Sequence, residues 1–265
     1  ASYFLRDRND RKFYDDLPYF ADKDYPGYTG ILNCISDLSR NNTIHIHTLN
    51  HDLFFESFNR TDFFKGELCD GFEELGSKYF GKLNVEGRDY KVRLERYTGK
   101  YNTRLRLYKL HGSLDYELFY KSKNGQFLPD TYIKSRYGIG HTEQFKEVAL
   151  GDGEFEYQNS WINYHSDFLS GTTSKILRYD EPLLFNKLVA LFRSNLNKSD
   201  MLIIVGYGCK DKGINEMIFQ NYRFWRSPIT IIDPYPGKQV VDFAWNIQAR
   251  VVKKQLEDID LSMLL

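Results

Sequence analysis

Two short, almost wholly apolar stretches constrain the fold of this chain most strongly. They occupy residues 201–205 and 228–232. An apolar run without alternation is typical of a strand buried on both faces, as in a parallel sheet that is covered by helices. Residues 211–225, between the two runs, are predicted to form a helix, so the segment reads as a β-α-β unit. A last short strand is predicted at residues 249–252.

The N-terminal part of the chain predicts a similar alternation of helix and strand. Apolar residues recur at helical spacing over residues 30–40, and a strand with β-branched residues is predicted at 43–48. Asp52 follows this strand, and its carboxylate can cap a helix that begins at Leu53. Residues 182–197 are predicted to be a helix with a proline in its first turn.

The middle of the chain has a different pattern. Residues 82–97 and 104–127 alternate polar and apolar side chains around glycine turns, which predicts antiparallel hairpins. Residues 138–180 are rich in glycine and show no sustained period, so we expect loops with short helices there. We therefore predict an α/β fold: a doubly wound, Rossmann-like, mostly parallel sheet in one domain of residues 1–265. Residues 81–180 are a hairpin and helical insertion.

Composition excludes several classes of function. The 265 residues include 36 basic and 36 acidic side chains, and this balance predicts no direct binding of nucleic acid. The chain has no uncharged apolar run of about 18 residues, so we expect no contact with a membrane. Its first ten residues lack the hydrophobic segment of a signal peptide, which predicts a cytoplasmic location. Because an initiator methionine is missing, we expect a chain trimmed at its N-terminus.

The cysteine and histidine residues give no metal-site pattern. Cys34, Cys69 and Cys209 are odd in number and widely spaced, which fits neither a disulfide framework nor a zinc knuckle. We expect them to be reduced thiols. His45 and His47 share one face of a predicted strand, but no cysteine or glutamate accompanies them at ligand spacing. Packing is therefore favoured over a metal site.

Candidate functional residues lie in three loops, each at the carboxyl end of a predicted strand. Open α/β sheets bind their ligands at this edge. The loops are residues 48–52, residues 109–113, and residues 206–209 with the following Asp211 and Asn215. Each signal has a structural alternative: Asn50 and Asp52 can cap a helix, and His111 can stand in an ordinary turn. The glycines Gly206 and Gly208 lack the third glycine of a dinucleotide fingerprint.

Taken in order, the three loops resemble a known family. Thr-x-Asn-x-Asp stands at 48–52, Leu-His-Gly-Ser at 110–113, and Ile-Ile-x-Gly-Tyr-Gly-x-x-Asp-x-x-Ile-Asn at 203–215. This series is similar to the sirtuin-like domains of bacterial antiphage defence systems, which are known as NAD hydrolases. The resemblance extends from about residue 44 to residue 234, although its specific residues lie in these segments and at Asp233.

The resemblance implies that NAD⁺ is the substrate and lies across the sheet edge. Asn50 and His111 would flank the nicotinamide ribose as the catalytic residues. Asn50 would hold a water at the anomeric carbon, and His111 would accept a proton from that water or from a ribose hydroxyl. The other implied contacts with NAD⁺ are Thr48, Asp52, Gly206, Tyr207, Gly208, Asn215 and Asp233. Helix capping remains an equal alternative for Asp52, and a plain turn remains an alternative for Asp233.

The sequence departs from this family in three respects. Sirtuin deacylases carry four zinc-binding cysteines, but no cysteine stands between His111 and Gly206, which favours hydrolysis and no metal. The family's Gly-Ala-Gly-x-Ser phosphate loop should precede Asn50, and residues 1–42 do not contain it. His51 stands where family members often have tyrosine.

The resemblance implies a role in defence: an NAD hydrolase that depletes host NAD⁺ upon infection. An inactive sirtuin-like module that binds a nucleotide or serves in assembly is the alternative, and a protein deacylase is the third choice. Aromatic residues such as Tyr116, Phe119 and Tyr120 are predicted in the core and at subunit interfaces. We therefore expect a homo-oligomer or a partner subunit of a defence system.

Overall fold

The structure is a computed structural model that describes residues 26–85, 87–124, 126–134, 145–151, 154–159, 167–169 and 178–265. Its helices are α1 (Thr29–Ser39), α2 (Phe54–Ser57), α3 (Phe185–Lys198), α4 (Lys212–Asn221) and α5 (Lys238–Asn246). Short 3-10 helices lie at Pro26–Tyr28, Leu256–Asp258 and Leu261–Met263. The strands are β1 (Ile44–Thr48), β2 (Leu68–Cys69), β3 (Phe72–Glu73), β4 (Tyr79–Val85), β5 (Arg88–Arg93), β6 (Arg96–Tyr97), β7 (Leu105–Lys109), β8 (Tyr116–Lys123), β9 (Gln126–Lys134), β10 (Phe145–Gly151), β11 (Glu154–Asn159), β12 (Leu202–Val205), β13 (Ile229–Ile232) and β14 (Arg250–Val252).

Six strands form two parallel sheets of three strands each. Their orders are β1-β7-β2 and β12-β13-β14. All four residues of β13 are buried, as the apolar run at 228–232 predicts. The two strands and the helix predicted between residues 201 and 232 are confirmed. The helix α4 begins where the Asp211 carboxylate accepts a hydrogen bond from the Ile214 N–H at 3.2 Å.

Strands between residues 72 and 159 form two antiparallel sheets of four strands each, with the orders β11-β10-β4-β5 and β3-β6-β9-β8. The fold is therefore mixed α/β, and antiparallel strands make up more of the described sheets than a mostly parallel sheet would allow. Two predictions need correction. Residues 105–109 form the central strand of a parallel sheet instead of part of a hairpin, and residues 138–180 include the paired strands β10 and β11. The rest of 138–180 lies largely outside the described residues.

Helix α1 packs against one face of both parallel sheets. Its Leu32 belongs to a hydrophobic cluster with Leu105 of β7 and Ile44 of β1. The adjacent Ile31 belongs to a second cluster with Ile232 of β13 and Ile203 of β12. One helix thus covers both sheets, which places them side by side in the same layer.

Helix α3 packs against both parallel sheets as well. Its Phe192 shares the largest hydrophobic cluster with Tyr108 of β7 and with Ile204 and Ile231 of the other sheet. The ring of Phe192 also lies 4.8 Å from the ring of His47 on β1. The side chains of β1 that meet α3 alternate with those that meet α1, so the two helices lie on opposite faces.

None of the helices in the described part of the chain has both the length and the apolar character that a bilayer crossing requires.

Candidate functional site

The carboxyl ends of β1, β7 and β12 bring the three predicted loops together. Thr48 and Lys109 are paired in register, and the Leu110 N–H donates to the Thr48 carbonyl at 3.0 Å, so the first two loops start side by side. A cleft of about 770 Å³ runs between β1 and β12. Four of the predicted site residues line it: Thr48, Asn50, Gly206 and Tyr207.

Asn50 is an exposed residue at this end of the cleft. Its backbone N–H donates to the Thr48 hydroxyl at 3.1 Å, which turns the chain sharply after β1. Within the described residues, no hydrogen bond is made by the Asn50 side chain, so its amide is available to a ligand. This geometry is compatible with the water-holding role that the resemblance implies.

Asp52 supports its own loop. Its carboxylate accepts from the Phe54 N–H at 3.1 Å, and its carbonyl accepts from the Lys109 ammonium. Lys109 is buried and also contacts the Glu56 carboxylate at 3.0 Å. Burial raises the pKa of Glu56, and Lys109 opposes that shift. The formal N-cap of α2 is Leu53, so Asp52 makes a local turn that precedes the helix. The contact between the Asp52 carboxylate and the Phe54 N–H favours the structural alternative for Asp52.

His111 is buried, with 2% of its surface exposed, and two polar side chains hold it. Its Nε2 lies 2.9 Å from the Tyr179 hydroxyl and 3.8 Å from the Asp211 carboxylate. Burial, followed by the Asp211 charge, raises the pKa of Tyr179, which keeps the phenol protonated and able to donate. The ring of His51 lies 6.2 Å from the His111 ring. His111 therefore connects the first loop with the third.

The backbone after His111 leaves room only for glycine. Gly112 has φ +80°, and a Cβ there would lie 2.3 Å from the Asp167 carbonyl oxygen. Gly112 forms a bridge with Phe168, and the Leu169 N–H donates to the His111 carbonyl at 2.7 Å. Residues 167–169 thus fix the main chain of the histidine.

The third loop combines an open glycine with an internally bonded tyrosine. Gly206 has φ +60°, and the space where a Cβ would stand is empty within 4 Å. The Tyr207 hydroxyl lies 2.9 Å from Asn215 Oδ1 and 3.0 Å from the Asp211 carbonyl, while the Asn215 amide donates to the Cys209 carbonyl at 2.9 Å. Both ends of the Asn215 side chain are thus engaged within the loop. Its observed role is to shape the loop.

Asp233 and Gly208 lie at the margin of the site. Asp233 follows β13, one strand further from the cleft, and its carboxylate accepts from the Tyr235 N–H at 2.9 Å. This contact is the turn that the sequence left open as an alternative. Gly208 is exposed, and only the Lys210 side chain approaches the position of a Cβ. Neither residue lines the cleft.

The wall of the cleft contains the two histidines of β1. The His47 ring stacks on Tyr108 with centroids 4.4 Å apart, and its Nε2 lies 3.2 Å from the Asn195 amide. Burial lowers the pKa of His47 to about 3, so this ring is neutral at physiological pH. His45 Nδ1 lies 3.1 Å from the Tyr108 hydroxyl. The described residues hold no cluster of three or more potential metal ligands.

Tyr179 lies outside the three predicted loops and was missed by the sequence. Lys109 and Asp211 lie in those loops, but neither was assigned a role from the sequence. Asp211 lies within the third motif, and its position at the start of a helix was the available signal. Comparison of the chain with protein-family models and with curated proteins finds no match.

Proposed function

We propose that this protein is a sirtuin-like NAD⁺ hydrolase that cleaves the bond between nicotinamide and ribose. The products would be nicotinamide and ADP-ribose. One observation carries the proposal: His111, buried beside Tyr179 and Asp211, lies at the strand ends where Asn50 and Gly206 line one cleft. Ligands of open α/β sheets bind at this edge.

The arrangement suits a reaction that depends on the positioning of substrate and water and on electrostatic stabilisation, more than on a strong nucleophile. Departure of nicotinamide leaves oxocarbenium character on the ribose, as in sugar hydrolysis. His111 would accept a proton from a ribose hydroxyl or from the attacking water, and Asp211 would stabilise the imidazolium that forms. The exposed amide of Asn50 would orient that water at the anomeric carbon.

The other contacts with NAD⁺ divide into two groups under this proposal. Thr48, Gly206 and Tyr207 line the cleft and would meet the substrate directly. Asp52 and Asn215 would act by shaping their loops, since their side chains already bond to the protein. Asp233 and Gly208 would contact the adenosine half of NAD⁺.

A nucleotide-binding or assembly module without catalysis is the second candidate. The internal hydrogen bonds of Asp52 and Asn215 favour it, because they leave fewer side chains for a phosphate or ribose. We rank it below the hydrolase because the Asp211 carboxylate, 3.8 Å from the His111 Nε2, can stabilise an imidazolium, which proton transfer requires and nucleotide binding does not.

The decisive experiment is to measure NAD⁺ loss and nicotinamide release by the purified protein, beside the variant His111→Asn. Turnover that the variant abolishes, while calorimetry shows that NAD⁺ still binds, supports the hydrolase. Binding without turnover in the parent protein supports the sensor or assembly module. An acetyl-lysine peptide tests the deacylase, and its turnover would overrule both.

The biological setting belongs to the same proposal. We propose a cytoplasmic enzyme that depletes NAD⁺ during infection, as a homo-oligomer or with a partner subunit of a defence system. Exposed aromatic side chains support an assembly, since 85% of the Trp245 surface and 65% of the Trp225 surface are accessible. Light scattering of the protein with and without NAD⁺ tests this part.

A further inference from the structure

Helix α5 has one face in the core and one face in solvent. Its buried side chains belong to the largest hydrophobic cluster: Val240, Phe243 and Ala244. Lys238, Asp242 and Trp245 are all exposed. Residues that are three and four positions apart share one face of a helix. These three side chains therefore form a single outward face, opposite the buried one.

Trp245 is the apolar centre of this outward face, and 85% of its surface is accessible. Trp225, a second exposed tryptophan, packs edge-on against Phe224 with ring centroids 5.2 Å apart, and Phe224 stacks on Phe219. Within the part of the chain that the structure describes, Trp245 makes no such ring contact. Exposed apolar surface marks interaction sites, and tryptophan is enriched among the anchors of protein interfaces.

Lys238 and Asp242 place one positive and one negative charge beside the indole of Trp245. Neither side chain forms an ion pair with another of the described residues, although the two are one helical turn apart. A lysine that precedes an acidic residue by four positions is in the less favourable order for pairing within a helix. Both charges are therefore available to a partner.

The order of these charges is complementary to itself. Lys238 and Asp242 are equally far from Val240 along the helix. If two copies of α5 lie antiparallel across a two-fold axis at the level of Val240, Lys238 of each copy lies opposite the partner's Asp242. A two-fold interface brings one patch against itself, so this contact forms twice. A parallel pair in register would instead place like charges opposite each other.

The aromatic side chains supply much of the area that such an interface needs. Trp245 lies about 7 Å from the level of Val240 along the helix, which brings it to the level of the turn that precedes α5 in the partner. Tyr235 is in that turn and is 82% accessible. Two copies of each ring can bury about 600–700 Å² in total. This area is about half of the roughly 1,200 Å² at the lower limit of a stable interface.

We propose that the outward face of α5 is a two-fold interface between two copies of this chain. Lys238 pairs with the partner's Asp242, and Trp245 packs on the turn that contains the partner's Tyr235. The self-complementary charges select a second copy of the chain as the occupant. This inference deepens the homo-oligomer part of the proposed function and does not depend on NAD⁺ hydrolysis.

Analytical ultracentrifugation of the full chain over a concentration series tests the interface. The protein should dimerise, and Trp245→Ala should raise the dimer Kd at least about 30-fold, as expected for a central anchor. Trp225→Ala is the matched control and should leave the dimer Kd unchanged, with circular dichroism to confirm both folds. A parent protein that is monomeric at every concentration overturns the inference, and so does a Trp245→Ala dimer of unchanged Kd.

Charge exchange tests the antiparallel register. Lys238→Asp alone places two carboxylates opposite each other at both contacts, and Asp242→Lys alone does the same with two ammonium groups. Each variant should dimerise about tenfold more weakly than the parent at low ionic strength. An equimolar mixture of the two variants should recover the parent affinity, because every lysine then faces an aspartate. The double variant should also recover it. A mixture that associates no better than the separate variants overturns the inference.

Nicotinamide release, measured on the same samples, separates this inference from the proposed hydrolase. Dimerisation through α5 without NAD⁺ turnover supports the interface and contradicts the hydrolase. Turnover by a protein that remains monomeric has the opposite meaning. A dimer that is insensitive to Trp245→Ala and to both charge variants uses another surface, which overturns the inference and leaves the homo-oligomer in place.

Discussion

The loops after β1 and β7 begin at the same level of one sheet but are held differently. Asn50 is exposed, and a single backbone contact with Thr48 shapes its turn. His111 is buried, and side chains from two distant segments, Tyr179 and Asp211, meet at its ring. The difference is consistent with the separate roles proposed for the two residues. A buried, preorganised group suits proton transfer, whereas an exposed amide suits capture and release of substrate and water.

The largest expected effect is at the buried side. His111→Asn should lower kcat for NAD⁺ hydrolysis by about 1000-fold, because it removes the proposed proton acceptor from the site. The measurement is nicotinamide release at saturating NAD⁺, with circular dichroism to confirm the fold. Retention of more than a tenth of the activity would show that His111 has only a structural role.

The next effect concerns the lysine that links the two loops. Lys109→Met should cost about 3 kcal/mol of unfolding free energy, because the buried Glu56 carboxylate loses its partner. Burial raises the pKa of Glu56, so the carboxyl is ionised less at pH 5 than at pH 8, and the cost should be smaller at pH 5. Urea denaturation at both pH values measures this difference.

Two controls sharpen that experiment. The double variant Lys109→Met with Glu56→Gln should recover part of the loss, since it leaves no unpaired charge. Lys121→Met removes a lysine that is 42% accessible from its pair with Asp130 and should cost under about 1 kcal/mol. A similar loss of unfolding free energy in the two variants would contradict the expectation that the buried pair of Lys109 contributes more than the pair of Lys121.

A smaller effect is expected at the exposed side. Asn50→Ala should lower kcat/KM by about 100-fold, as expected for a lost donor in a preorganised site, and should leave Tm nearly unchanged. Asn246→Ala, an exposed residue at the end of α5, is the matched control and should have full activity. The comparison of the loops breaks down if Asn50→Ala destabilises the protein as much as Lys109→Met.

The smallest effect concerns the position of the histidine. Tyr179→Phe should lower kcat by about tenfold and shift the pH profile of kcat, because the phenol at 2.9 Å no longer orients Nε2. Tyr222→Phe is the matched control: it also loses a hydrogen bond, from its hydroxyl to the Pro228 carbonyl, but away from the three loops. An unchanged pH profile would assign Tyr179 to packing alone.

The sequence predicted the parallel strands that are apolar throughout, and it missed the one that carries charge. Residues 228–232 were recognised because β13 is buried on both faces. β7 contains the charged residues Arg106 and Lys109, and charged residues among apolar ones are typical of a hairpin strand with one face in solvent. Lys109 is nevertheless buried, and its ammonium pairs with Glu56. Helix α5 was not predicted from the sequence.

The candidate site was predictable where a polar residue or a glycine directly follows the carboxyl end of a predicted strand. Asn50, His111 and Gly206 were selected on that rule, and the structure brings their loops together. Tyr179 lies 68 residues from His111 in the chain, and no local pattern reports a contact of that range. The structural roles of Asp52 and Asn215 also depend on hydrogen bonds that spacing alone does not specify.

The short segment 167–169 contacts both the main chain around His111 and the first loop. Its backbone holds His111 and Gly112, the Phe168 ring lies 4.7 Å from His51, and Arg178 next to Tyr179 binds Asp167 at 2.9 Å. A shift of this segment would therefore pull on the imidazole, its phenol partner and the first loop at once. Residues 167–169 can thus affect the candidate site without lining its cleft.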